Sequence, residues 1–256
     1  MKLSFLKKRQ VILALFLYLF SAAALAALCQ AEGDLTFSAV RKVVDGDTLE
    51  LTDGRKVRLV GVNTPELDHE QGNHQAFAVA ATKRLRQLVQ DGVYWQAAFD
   101  DEDRYGRKLY YLFTKDRNSV ASQLLSDGLG YRIAIPPNLA YQDCFVRSEA
   151  LAREKRVGLW QRPPQWQPQA GFVVARHTVT SITHNRGGWW LETDQDLVIN
   201  IPPYAQNLWR EQDVYLLANQ LVEARGWQYQ RKNQNRRYKS WVLTVRHPLD
   251  LNRAED

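Results

Sequence analysis

Three prolines fall within residues 161–169, Gln161-Arg162-Pro163-Pro164-Gln165-Trp166-Gln167-Pro168-Gln169, and interrupt the periodicity on either side. Proline lacks the amide that a helix or a central strand needs, so neither element runs through the segment. The chain must therefore complete one core before it and another after it. At roughly 150 residues per domain, 256 residues accommodate that division. Residues 161–169 are read as a linker between residues 27–160 and residues 170–256. A charged fraction of 24% beside 45% hydrophobic residues describes globular domains and excludes disordered, collagen-like and multispan membrane classes.

Upstream, Lys2, Lys7, Lys8 and Arg9 precede the uncharged run at residues 11–28, which ends in small residues. This reads as a secretory signal peptide over residues 1–26, with Ala24-Leu25-Ala26 as the cleavage tripeptide. An uncleaved anchor is the alternative, since residues 11–28 are long enough for a bilayer of roughly 30 Å. A lipid-modified Cys29 is a third, opposed by the bulky Leu28 before it. The expected location is periplasmic or secreted. Only Cys29 and Cys144 are present, and an oxidising compartment predicts a disulfide between them.

The same segment changes the meaning of the charge. The formal excess is +6, but four of those charges belong to the leader, leaving +2. Residues 27–169 hold 19 basic and 19 acidic residues, so a polyanionic partner must be argued from local placement.

Residues 37–51 and 56–62 carry strand-like runs, with Asp53-Gly54 as a hairpin turn between them. Residues 74–90 change to a helical period, placing Phe77, Ala81, Leu85, Leu88 and Val89 on one face before Gly92. Strands are expected at 93–99 and 108–113. A second helix, capped by Asn118, contains Val120, Ala121, Leu124 and Leu125 and stops at Gly128. A third covers 145–156. Beyond the prolines, strands are expected at 172–182, 189–192, 197–201, 222–229 and 241–246, with a short helix at 204–209. The fold class is mainly β (α+β), and this last order matches a small OB-type barrel.

Three segments combine a turn with residues suited to phosphate chemistry: Val44-Asp45-Gly46-Asp47-Thr48, the run from Val57-Arg58 to Asn63-Thr64-Pro65-Glu66, and Asp103-Arg104-Tyr105-Gly106-Arg107. Each alone is an ordinary turn or strand end. In this order and spacing they resemble the staphylococcal nuclease, or thermonuclease-like, family over residues 37–160. The resemblance implies a five-stranded OB-like barrel with three helices. It also implies a Ca²⁺ ion at Asp47, Asn63 and the Thr64 carbonyl, Glu66 activating or orienting the attacking water, and Arg58 and Arg107 clamping the phosphate. The implied activity is Ca²⁺-dependent hydrolysis of DNA or RNA that leaves 3′-phosphates.

The chemistry independently requires these residue types. Negative charge builds on the equatorial oxygens as water attacks phosphorus, and guanidinium groups meet those oxygens with paired hydrogen bonds. A divalent ion stabilises the same charge, and a carboxylate beside the water supplies the base.

Two departures stand out. Asn63 occupies the place of the family's second metal-binding aspartate, so weaker Ca²⁺ binding is expected unless Asp45 compensates. The competing reading is a non-catalytic nucleic-acid-binding or scaffold protein. Ile133 and Ile135 stand where the best-known family member has tyrosines, which predicts a different nucleotide affinity or base preference. Tyr105 and Tyr131 remain as stacking surfaces or as packing residues.

His69 and His74 are read as loop and helix-start residues, because no zinc-type spacing accompanies them. Arg231, Lys232, Arg236, Arg237 and Lys239 form the most basic segment after the leader. They make a solvated hairpin loop or candidate nucleic-acid contacts, with Trp227, Tyr229, Tyr238 or Trp241 as stacking faces. No feature points to an obligate protein partner, and a membrane partner enters only if the leader is retained.

Overall fold

A computed structural model describes residues 29–232 and 238–254 of the chain. The expected signal peptide, and Arg236 and Arg237 of the basic loop, lie outside these residues.

The first half is built from β1 (Thr36–Ser38), β2 (Val40–Val43), β3 (Thr48–Leu51), β4 (Lys56–Leu59) and β5 (Val62–Asn63), followed by α1 (Ala78–Leu88), β6 (Val93–Glu102) and β7 (Lys108–Phe113). Then come α2 (Val120–Ser126), β8 (Tyr131–Arg132) and α3 (Gln142–Lys155). The main sheet runs β1-β6-β7-β4-β3-β2. β1 and β2 are halves of one strand broken at Ala39, one pairing with β6 and the other with β3. The two sheet edges are thus continuous in the chain, which closes a five-stranded barrel and hides its edges. β4 and β7 run parallel, and the remaining pairs in this sheet are antiparallel.

Leu49, Leu51, Val57, Leu59, Leu112 and Phe113 fill the barrel, and Leu85, Leu124, Leu125 and Phe145 close it from the three helices. Each such side chain contributes about 1.5–3 kcal/mol when fully buried. Gly61 lets α3 pack this closely: its φ is 86°, and a Cβ there would lie 2.2 Å from the Phe145 ring. Cys29 and Cys144 are paired, with their Cα atoms 5.5 Å apart, tying the first described residue to α3.

Local details differ from the sequence reading. α1 begins at Ala78, because Glu66 and Gln75 bond to each other and hold the preceding segment as a loop. His74 therefore lies in that loop and accepts the Asp68 amide at Nδ1. The cap of α2 is Ser119, whose Oγ accepts the Ser122 amide at 3.2 Å, whereas Asn118 makes a bridge to Gln30. α3 starts at Gln142, earlier than expected.

The second half contains β9 (Gly171–Asn185), β10 (Gly188–Thr193), β11 (Leu197–Ile201), a 3-10 turn (Pro203–Leu208), α4 (Glu211–Tyr215), β12 (Leu221–Gln230) and β13 (Trp241–Thr244). Its order is β13-β11-β10-β9-β12, and β12 also pairs with β13, so the ring closes. β11 and β13 are parallel. The connectivity repeats that of the first barrel and is OB-type. A short β14 (Leu251–Arg253), absent from the sequence reading, extends β12. Gln228 donates to the carbonyls of Gln167 and Gln169 and accepts from Trp166 Nε1. The proline segment is therefore lashed to the second barrel. Among the described residues no helix is long and apolar enough to cross a membrane.

Candidate active site

The turn between β2 and β3 places Asp47 where its backbone carbonyl accepts the Leu59 amide at 2.8 Å, fixing it beside β4. Asp45 Oδ1 accepts the Asp47 amide and tightens that turn. Gly46 is required by contact: a Cβ there would meet Thr64 Oγ1 at 2.6 Å and Ala81 Cβ at 2.7 Å. The buried Asp47 carboxylate accepts the Thr64 amide (2.7 Å), the Thr64 hydroxyl (3.0 Å) and the Thr48 hydroxyl (3.1 Å).

Arg58 extends from β4 into the same cluster. Nη1 donates to the Leu59 and Val62 carbonyls at 2.6 and 2.8 Å, while Nη2 donates to Asn63 Oδ1 at 3.0 Å and pairs with Asp47 Oδ2 at 3.1 Å. Arg58 is thus a brace that spans Asp47, β4 and β5. Arg107 is held differently: Nε donates to Asp103 Oδ2 at 2.7 Å, and Asp103 Oδ1 accepts the Arg107 amide. Against the burial that would raise it, those bonds hold the Asp103 carboxyl below its ordinary value. The terminal amino groups of Arg107 find no protein acceptor among the described residues. Arg107 is the open member of the pair.

Glu66 follows β5 and Pro65, and its backbone is pinned by Gln75. Burial first, then the Asp47 carboxylate, raises its carboxyl above the ordinary value, while Arg58, Arg107 and His69 pull it down. The charges that act on Glu66 are therefore those of the residues singled out in the sequence. Asp45 is pushed up to about 6 by burial first and by Asp47, with Glu66 adding and Arg58 opposing.

The donor set fits a hard cation in chemistry. Asp47, Asp45, the Asn63 amide oxygen and the Thr64 carbonyl are all oxygens, and two crowded carboxylates call for positive charge. Among the described residues no three His, Cys, Asp or Glu side chains form a ready metal cage, so waters and substrate oxygens would have to complete the shell. Asn63 turns its oxygen to Arg58 and its Nδ2 toward the Thr64 carbonyl. An aspartate there would meet Arg58 equally well and add a negative charge.

Tyr131 packs against Trp160 and Phe172, and Ile133 is buried, so both are packing residues. Tyr105 is exposed, with Arg104 and Arg107 lying 4.7 and 5.5 Å from its ring centroid. Asp103 and Gln75 escaped the sequence reading as supports. Asp103 alone carried a signal, since a carboxylate four residues before an arginine across a glycine turn can fold back on it. In the second barrel Arg231 lies over the Trp190 and Tyr238 rings at 5.3 and 5.5 Å, and Lys232 is exposed.

A family model described as staphylococcal nuclease homologue matches residues 56–162. Endonuclease YncB of Bacillus subtilis (strain 168) is 36% identical over 143 residues, covering 53% of this chain and 63% of that protein. The SPbeta prophage-derived endonuclease YokF of the same strain is 35% identical over 129 residues, covering 47% and 43%. Thermonuclease of Staphylococcus intermedius is 31% identical over 127 residues, covering 48% and 75%. The chain thus spans less than two thirds of the length of either Bacillus relative.

Proposed function

The chain belongs to the staphylococcal nuclease family, and from that premise we propose that it hydrolyses phosphodiester bonds of DNA or RNA at Arg58, Glu66 and Arg107. The observation that carries this reading is that the charges of Asp47, Arg58 and Arg107 all act on Glu66, with Arg58 paired to Asp47 at 3.1 Å. The unpaired end of Arg107 takes the equatorial phosphate oxygens as charge builds on them. Arg58 adds fixed positive charge while keeping Asp47 and β5 in place. Glu66 orients the attacking water and receives its proton, and the leaving oxygen departs on the opposite side of phosphorus. A Ca²⁺ ion held by Asp47, the Asn63 oxygen and the Thr64 carbonyl would supply further positive charge at the phosphate.

Digestion of single-stranded DNA, duplex DNA and RNA, with Ca²⁺ and with chelator, tests this. Cleavage that needs Ca²⁺ and is lost in Glu66→Gln is the expected result. Binding without cleavage under every condition would instead support the scaffold reading, in which Asn63 has impaired the site. Asn63→Asp should shift the half-saturating Ca²⁺ concentration downward, and an unchanged requirement counts against direct ligation by this position.

Arg231, Lys232 and Lys239 are proposed as backbone contacts for the same substrate, supported by the aromatic rings around Arg231. Replacing all three with alanine should flatten the salt dependence of binding, since each lost phosphate contact removes roughly 0.9 from the log–log slope on duplex DNA. The disulfide pairing supports a periplasmic or secreted location, which fractionation of expressing cells would test.

A further inference from the structure

Among the described residues, β8 has a sheet partner on one edge only. Val62 pairs with Arg132 and Asn63 with Tyr131, so β5 and β8 form a two-stranded ribbon that carries Asn63 and leads directly into Thr64. A ribbon of this size is marginal by itself, and the backbone groups on its outer edge need partners. Those partners are side chains. The Arg132 amide donates to Glu149 Oε1 at 2.9 Å, and the Arg132 carbonyl accepts Arg225 Nη1 at 3.0 Å. The Ala134 amide donates to Asp250 Oδ2 at 3.1 Å. Arg225 lies on β12, and Asp250 lies in the turn before β14, so two of the three belong to the second barrel.

The arrangement is charge-balanced as well as hydrogen-bonded. Arg225 Nη1 also donates to Glu149 at 2.8 Å and Nη2 to Glu223 at 2.9 Å, while the Arg132 side chain pairs with Asp250 at 3.1 Å. Arg132, Glu149, Arg225 and Asp250 are all buried. Charges removed from water this completely are tolerated only when geometry and partners are fixed, so the edge of β8 is held in one position. On its other side the ribbon supplies what fixes the candidate active site: the Val62 carbonyl and Asn63 Oδ1 accept from Arg58, and Thr64 donates twice to Asp47.

We propose that the second barrel serves as the outer wall of this ribbon, with Arg225 and Asp250 as positioning residues that set Arg58 and Asp47 for phosphodiester hydrolysis. Its catalytic part rests on the nuclease reading above. The geometry gives the second barrel a role in turnover that requires no contact with the substrate. Displacement of a reacting group by about 1 Å through a distant change can cost on the order of 10² in rate.

The test compares full-length Arg225→Lys and Asp250→Asn with Ile199→Val. The last trims the second barrel's core away from the ribbon. Each protein is assayed well below its own melting midpoint, and Asp250→Asn, which conserves volume, serves if Arg225→Lys does not fold. Two readouts are taken: kcat and KM on single-stranded DNA, and hydrogen exchange at the Thr64 amide. In the ribbon variants kcat should fall about 10- to 100-fold with KM little changed, and the Thr64 amide should exchange faster. Ile199→Val should change neither. Folded ribbon variants with wild-type kcat and wild-type Thr64 protection overturn the proposal, as does an equal loss in Ile199→Val. Should the wild-type chain cleave nothing, the nuclease reading falls, while Thr64 exchange still decides whether the second barrel holds the ribbon.

Discussion

The two barrels share one connectivity and differ in what their strands carry. In the first, the turn into the second strand is Asp45-Gly46-Asp47, and the third strand, β4, presents Arg58. In the second, the corresponding turn is Arg186-Gly187, and the third strand, β11, reads Leu197-Val198-Ile199-Asn200-Ile201 with every residue buried. Both third strands lie parallel to the fifth, so the backbone frame is equivalent. A closed barrel of this order therefore supplies positions, and chemistry depends on which side chains occupy them. The second barrel directs its buried charges at its neighbour instead: Glu223 and Arg225 on β12 meet Glu149 and Arg153 on α3.

The largest expected difference concerns turnover. Arg107→Ala should lower kcat on the order of 10²–10³, the usual consequence of losing a donor to developing charge. Its melting temperature should hardly move, because Arg107 is partly exposed and, among the described residues, its one ion pair is with Asp103. Full activity in a purified Arg107→Ala protein would place the chemistry elsewhere and dissolve the contrast between the barrels. Arg58→Ala should lose comparable activity and also about 3 kcal/mol of stability, measured by denaturant titration. Removing the brace leaves the buried Asp47 without its ion-pair partner.

A smaller effect sharpens the comparison from the other side. His177, on β9, is buried, and neither ring nitrogen has a hydrogen-bond partner among the described residues. Burial pushes its pKa down to about 4 from the ordinary 6.5, partly offset by Asp194. The folded state thus favours the neutral ring. The associated stability, about 3 kcal/mol, is fully present above pH 6.5 and is lost progressively as pH falls toward 4. Acid titration followed by tryptophan fluorescence should show this loss, and His177→Leu should flatten it. An unchanged slope in that variant would assign the acid sensitivity to other groups, among them Glu223. Arg153 and Arg225, working against burial, hold that carboxyl at about 2, so its contribution fades only below pH 4.5.

Short-range features could be read from the sequence because they depend on neighbours. The Asp53-Gly54 hairpin, β7 at Lys108–Phe113 and β11 at Leu197–Ile201 are set by turn chemistry and by runs of apolar or β-branched residues. The α2 cap was misplaced by one position because Asn118 and Ser119 are both good caps, and the bridge from Asn118 to Gln30 decides between them. β14 gave no signal: Leu251-Asn252-Arg253 is short with two of its three residues polar, and it is a strand only because β12 offers an edge. Arg58 and Arg107 could be singled out by motif, but nothing local distinguishes the brace from the open clamp. That distinction requires knowing that Val62, Asn63 and Asp47 all face Arg58.

By itself, then, the sequence determined the mainly β fold class, the second β-rich region and the pairing of its two cysteines. The β-rich regions follow from periodicity and turn chemistry among near neighbours, and the pairing, across 115 residues, from there being only two cysteines in a chain read as exported. Only the tertiary structure decided that the basic and acidic residues at 132, 149, 225 and 250 meet in one buried network against the strand beside Asn63. Those partners are up to 118 residues apart in sequence, and a charge buried by folding carries no local mark of the partner that will neutralise it.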